Sequence, residues 1–152
     1  MVSSRYESLI YPEPMQKRWF VEGLGRFSEA EGTQYLGAEF ALGYNLITEP
    51  INMLKSPHKH DFHQYLIFIG GNPMNMRDFG GEVDLWLGVD EEAEKIIVNK
   101  TMIIHVPPGL PHCPINFRVV NKPFIFLECM LTSKYDQIEV IPKKPEIYSK
   151  KR

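Results

Sequence analysis

The stretch on which the fold assignment depends is HKHDFHQ, residues 58–64, which holds three of the chain's five histidines. Side chains of an extended strand point alternately to opposite faces. His58, His60 and Gln64 therefore share one face, whereas His63 points to the other. Two imidazoles and an amide oxygen converge, which predicts one half of a metal site inside a β-structure.

A third imidazole is available from a later part of the chain. His112 follows PPGLP, residues 107–111, a rigid turn that fixes the direction of the side chain after it. Neutral imidazoles suit divalent transition metals, and an added oxygen ligand leaves coordination positions open. The sequence therefore predicts one divalent ion (Fe, Ni, Zn or Mn), with ligands His58, His60, Gln64 and His112. The alternative for Gln64 is a place outside the coordination shell, with a hydrogen bond to a water that binds the ion.

The composition favours short strands over long helices. The 152 residues include 11 Gly and 12 Pro, aromatic residues make up 12%, and no sustained helical periodicity occurs. The alternatives are a sandwich, a jelly roll or a small barrel. Asn121-Lys122-Pro123 has the composition of a tight antiparallel connection. Strands are predicted within residues 33–48, 62–69, 82–87, 101–106, 116–120 and 124–131.

The chain is expected to form one domain with two appendages. Residues 1–30 form an N-terminal arm with one short helix at 15–22, residues 31–141 form the β-domain, and residues 142–152 form a basic C-terminal tail. A length of 152 residues is ordinary for a single compact domain.

Two motifs in this order resemble those of the cupin superfamily. The first is Gly, five residues, His-x-His, three or four residues, Glu, six residues, Gly; the second is Gly, five residues, Pro-x-Gly, two residues, His, three residues, Asn. The chain departs from the first motif at Gln64, where Glu is usual, and at Asn52, where Gly is usual; it departs from the second at Thr101, where Gly is usual. The matching residues are His58, His60, Gly71, Pro107, Gly109, His112 and Asn116.

The resemblance spans about residues 35–131 and carries structural and functional implications. It implies an all-β fold, a double-stranded β-helix (jelly-roll barrel), with a metal in its interior and a homodimer as the usual assembly. The apolar segment Trp19-Phe20-Val21 has no evident place in a barrel core, which also favours a homodimer.

Charge and cysteine content limit the partners and the compartment. A net charge of −2 provides no strong field for nucleic acid or an anionic membrane, and no apolar stretch is long enough for a signal peptide or a membrane span. Cys113 and Cys129 are too few for a disulfide framework. We therefore expect free thiols, a cytoplasmic location and a small-molecule ligand.

Four further polar residues are candidates for a role near the metal. Glu128 lies in an apolar run, where a carboxylate either serves the site or points outward to solvent. Arg118 shares the strand parity of His112, so it either enters the cavity to hold a substrate carboxylate or lies on the outer face. Glu128 and Arg118 are the candidate catalytic residues. His63 is expected to be exposed and His105 to be structural.

The substitution of Gln64 for the family's Glu bears on the chemistry. A neutral amide leaves the metal its full charge, which favours Lewis-acid steps over oxidation of the metal. The predicted function is a metal-dependent isomerase or lyase acting on a small carbonyl- or carboxylate-bearing molecule. The alternatives are an iron-dependent dioxygenase and a non-catalytic binding or sensing barrel.

Overall fold

The fold is seen in a computed structural model that describes residues 5–7, 24–31 and 39–149. Eleven strands and two short 3₁₀ segments, Asp90–Glu92 and Pro145–Ser149, account for its regular elements, and these ranges contain no α-helix. None of their helical segments is long and apolar enough to cross a membrane.

The strands form two antiparallel sheets. Their bounds are β1 Leu24–Glu31, β2 Ala41–Ile47, β3 Ile51–Leu54, β4 His58–Lys59, β5 Gln64–Gly70, β6 Gly81–Leu87, β7 Glu94–Val98, β8 Met102–Val106, β9 His112–Val120, β10 Phe124–Met130 and β11 Ile138–Glu139. The first sheet has the order β1-β2-β10-β5-β8; the second has the order β11-β4-β9-β6-β7, with β3 also paired to β9.

An apolar core occupies the space between the sheets. Every second residue of β5 is buried from Gln64 to Gly70, as expected for a strand with one face towards a core. Five phenylalanines supply much of the buried surface: Phe68, Phe79, Phe117, Phe124 and Phe126. The predicted all-β architecture is confirmed.

The sequence predicted six strands that the structure contains: β2, within the predicted segment 33–48, and β5, β6, β8, β9 and β10. The predicted hairpin at residues 121–123 is wrong, because β9 and β10 belong to different sheets and the connection passes between them. Strand β1 lies largely in the segment assigned to the arm. The predicted helix at 15–22 and most of the segment 33–40 lie outside the described residues.

Candidate metal centre

Three histidines from two neighbouring strands meet in the interior. His58 on β4 lies directly opposite His112 on β9, and His60 follows β4 by one residue. The side chains are 4%, 1% and 3% exposed, respectively. One ring nitrogen from each lies within 4.8 Å of the others. The predicted convergence of these imidazoles is confirmed.

Backbone carbonyls hold the Nδ1 side of two of these rings. The Nδ1 atom of His60 lies 2.6 Å from the carbonyl oxygen of Asp136, and Nδ1 of His112 lies 3.3 Å from that of Leu110. An Nδ1–H that donates to a carbonyl leaves Nε2 with its lone pair. Nε2 of His60 is buried and has no hydrogen-bond partner among the described residues.

Burial keeps all three imidazoles neutral. It lowers the pKa of His112 to about 3 and that of His58 to about 4, and the neighbouring histidines lower both pKa values further. Burial also lowers the pKa of His60, although the hydrogen bond to Asp136 opposes this shift. Unprotonated imidazoles are the form that binds metal ions.

A β-bulge shapes the start of β9. Leu87 and Leu85 on β6, two residues apart, pair with His112 and Ile115, which are three residues apart. The extra residue is accommodated at Cys113, whose φ of 74° lies in the left-handed region that non-glycine residues rarely adopt. The bulge therefore shifts the alternation of faces between His112 and the rest of β9.

Gln64 and Glu128 lie next to each other on adjoining strands, β5 and β10. Gln64 is 2% exposed, and its Oε1 has no hydrogen-bond partner among the described residues. Its Nε2 lies 3.5 Å from Oε1 of Glu128, a long hydrogen bond. Glu128 has the same strand parity as the buried Phe126 and Met130. The structure therefore places this carboxylate on the inner face rather than outward to solvent.

Cys113 also lies in this part of the interior. Burial and the charge of Glu128 raise the pKa of its thiol, so it remains protonated. Both cysteines are unpaired, as the sequence predicts.

Arg118 lies on the outer face of the second sheet. The bulge at Cys113 reverses the parity that the sequence analysis assumed, so Arg118 does not share the inward face of His112. Its side chain is 46% exposed and forms ion pairs with Glu82 and with Asp84, the latter at 3.6 Å. It lines a groove of about 1060 Å³ beside the C-terminal segment. Other residues that line this groove are Asn52, Trp86, Lys95, Asn116 and Tyr148.

The two remaining histidines lie away from this cluster. His63 is exposed, as predicted, and its Nδ1 lies 2.9 Å from Nε2 of His105 on β8. Sequence analysis missed Tyr135 and Asp136, which contact His60 from the C-terminal segment. Asp136 acts through its backbone, so its residue type gives no signal.

The donor set fits a divalent transition metal. Three neutral imidazoles with converging nitrogens, one of them an unpartnered buried Nε2, are suitable ligands for such an ion. The unpartnered Oε1 of Gln64 is a suitable oxygen donor on the neighbouring strand.

Comparison with known proteins identifies the fold. No family model matches the sequence, and no curated protein matches it. A solved structure of Bacillus subtilis oxalate decarboxylase, described for its Mn(II) centres, is similar with a TM-score of 0.57 and 15% identity, over 82% of this chain and 30% of that chain. An oxalate oxidase in complex with the substrate analogue glycolate has a TM-score of 0.59 and 12% identity, over 88% of this chain and 64% of that chain.

Both of these neighbours are cupins, so the fold that the two sequence motifs indicate is confirmed. At this level of identity the likeness concerns the fold alone. The chain spans less than two thirds of the length of either neighbour.

Proposed function

We propose that this cupin-fold chain is a metal-dependent enzyme that acts on a small molecule bearing a carbonyl or carboxylate group. The observation that carries the proposal is the cluster of three buried, neutral imidazoles with nitrogens within 4.8 Å of one another. Orienting three imidazoles in an apolar interior without a ligand leaves polar atoms unsatisfied, as at Nε2 of His60. A bound ion removes that cost.

The residues of the chain divide into ligands and an acid–base group. His58, His60 and His112 would hold the ion through ring nitrogens, and Gln64 through Oε1. A divalent ion there supplies Lewis acidity, which polarises a substrate carbonyl or carboxylate oxygen. Glu128, within 3.5 Å of Gln64, would accept a proton from the substrate and return it.

Glu128 favours an enzyme over a non-catalytic binding barrel. A barrel that only binds a ligand needs no ionisable group beside the metal ligands, whereas proton transfer requires one within hydrogen-bond reach. Its inward position beside Gln64 supports this assignment. Small dicarboxylates and hydroxy acids are the first substrates to test, because the two fold neighbours are described with oxalate and glycolate.

We place the protein in the cytoplasm, which its two unpaired cysteines support.

Elemental analysis of the protein purified without added metal tests the site. We expect about one divalent ion per chain, lost in the double variant His60→Ala/His112→Ala. The matched control is His63→Ala/His105→Ala, which removes two exposed histidines and should keep the ion. Equal metal content in all three proteins would contradict the assignment.

The role of Glu128 is tested separately from metal binding. Glu128→Gln keeps the shape of the side chain and removes the proton acceptor, so we expect turnover to fall by about 10² to 10⁴-fold. Metal content should remain at the wild-type level. Full turnover with a neutral residue at this position would exclude Glu128 as the acid–base group. Turnover that requires O₂ and iron would instead favour the dioxygenase alternative.

A further inference from the structure

We propose that the C-terminal strap, defined as residues 135–140, positions two of the three histidine ligands and fixes His60 as the tautomer that presents Nε2. This inference rests on the proposed function, because it assigns the strap a role at the same site. It gives the chain beyond β10 a task that the two sequence motifs, which end at Asn116, do not include.

The strap holds His60 at two points. The carbonyl of Asp136 accepts a hydrogen bond from Nδ1 of His60 at 2.6 Å. The ring of Tyr135 lies against the imidazole with centroids 5.2 Å apart, and Phe62 stacks on it at 4.6 Å with an interplanar angle of 17°. Two aromatic side chains, their own ring centroids 6.3 Å apart, thus pack against the imidazole while one of its nitrogens is engaged by the backbone.

The strap also holds the strand that carries His58. Strand β11 pairs with β4, with Glu139 opposite His58 and Ile138 opposite Lys59. The N–H of Val140 donates to the carbonyl of Pro57 at 3.1 Å. Strand β4 has only two residues. It pairs with β9 at His58 opposite His112 and with β11 on its other side, so the strap supplies much of the pairing that holds this strand.

The chain beyond the strap is anchored to the second sheet and its connections. The backbone N–H groups of Lys143 and Lys144 donate to Oδ1 of Asp90 at 2.7 and 3.0 Å. Tyr148 packs edge-on against Trp86 at 5.3 Å. A segment that is fixed at both ends holds the imidazole of His60 more firmly than a loose tail would. The segment is already ordered, so it loses less conformational entropy when it contacts the ring.

The tautomer follows from this arrangement. With its Nδ1–H donated to Asp136, the neutral ring of His60 has only Nε2 as an acceptor. Without that bond the Nδ1–H and Nε2–H tautomers compete, and the ring is free to turn. Hydrogen-bonding partners of this kind typically change metal affinity by about 10 to 100-fold when they are lost.

The test compares Tyr135→Ala with its matched control Tyr135→Phe, which keeps the ring and removes only the hydroxyl that bonds to Gln137. Imidazole ¹H–¹⁵N correlation spectra of the metal-free proteins report the tautomer. We expect the Nδ1–H form of His60 in the wild type and in Tyr135→Phe, and a mixture of tautomers in Tyr135→Ala. A residue with a structural role alone would change the melting temperature and leave the tautomer unaltered.

Titration with Mn(II) then measures affinity. We expect Tyr135→Ala to bind Mn(II) about 10 to 100-fold more weakly than the wild type, with the affinity of Tyr135→Phe unchanged.

Val140→Pro, which removes the N–H that donates to Pro57, is a second variant if Tyr135→Ala does not fold. Its control is Val140→Ala, and we expect the same loss of Mn(II) affinity in Val140→Pro. Unchanged affinity in the folded variant would overturn the proposal, as would the absence of the Nδ1–H tautomer from the wild type. A wild type with that tautomer but without metal binding would refute the proposed function while supporting the positioning of His60.

Discussion

Gln64 is the residue whose substitution should change the charge of the proposed metal site most directly. Three imidazoles and an amide are all neutral, so a divalent ion among them would keep its full charge. The adjacent Glu128 places a carboxylate oxygen 3.5 Å from Nε2 of Gln64. In the proposed function the pair would thus combine a neutral ligand, Gln64, with an acid–base group, Glu128.

Gln64→Glu should raise metal affinity by about tenfold, which corresponds to about 1.4 kcal/mol, and should lower turnover. An anionic ligand attracts the ion more strongly but weakens its Lewis acidity. Isothermal titration with Mn(II) and steady-state kinetics on one substrate measure the two effects. The single variant also places two carboxylates within hydrogen-bond distance of each other.

The double variant Gln64→Glu/Glu128→Gln is the control for that repulsion. It exchanges the amide and the carboxylate and keeps their total charge and hydrogen bond. If the added ligand is responsible, this variant also binds metal more tightly. Affinity equal to that of the wild type in both variants would mean that Gln64 is not a ligand.

The convergence of the three histidines could be predicted from the sequence because it depends on local spacing along the chain. Burial alternates from His58 through Gln64 even though β4 ends at Lys59, so parity arguments held across the connection. The hydrogen bond from His60 to Asp136 joins residues 76 apart and is accepted by a backbone oxygen. Neither a sequence motif nor the residue type at position 136 could have predicted it.

Strand β9 shows how one element places residues on opposite faces. Its first four residues, from His112 to Ile115, are all buried, which breaks the alternation that a regular strand would show. After the bulge the pattern resumes with Phe117 inside and Arg118 outside. A bulge of this kind depends on pairing with β6, an earlier strand of the chain, and so cannot be predicted from the sequence of β9 alone.

Arg118→Ala should therefore leave metal affinity and the KM for a carboxylate substrate within about twofold of the wild type. The side chain of Arg118 is half exposed to solvent, and ion pairs of such a group contribute about 1 kcal/mol or less. Thermal unfolding, metal titration and kinetics measure these quantities. A tenfold rise in KM would instead support the substrate-binding role that its sequence parity suggested.

The remaining elements were predictable where they are long and apolar. Strands β5, β6, β8 and β10 are bounded close to their turn signals, whereas β3, β4 and β11 have only two to four residues and too little pattern to recognise. The charged β7, EKIIV, lies at the edge of its sheet and lacks the alternation of a half-buried strand. Pairing with longer neighbours, rather than intrinsic propensity, stabilises these short strands.

The molecule as a whole holds its histidine cluster between two sheets whose edges are not equivalent. In the described part of the chain the first sheet ends at β8, which pairs with β5 alone and carries Ile103 with 65% of its side chain exposed. Exposed edge strands are surfaces on which proteins pair with another copy. The apolar segment Trp19-Phe20-Val21, the other sequence argument for association, lies outside the described residues.

We therefore predict a homodimer, measured by sedimentation at micromolar concentration. The expected species has twice the mass of the 17.6 kDa chain. Ile103→Lys places a charge on the β8 edge and should shift the equilibrium to monomer if that edge is the interface, whereas Ile125→Lys, on the central strand β10, serves as the control. A dimer that persists in both variants would locate the interface elsewhere, and a wild type that sediments as a monomer would remove the prediction. Metal content measured on the same samples shows whether the centre requires association: because all three histidines come from one chain, we expect the monomeric variant to keep its ion.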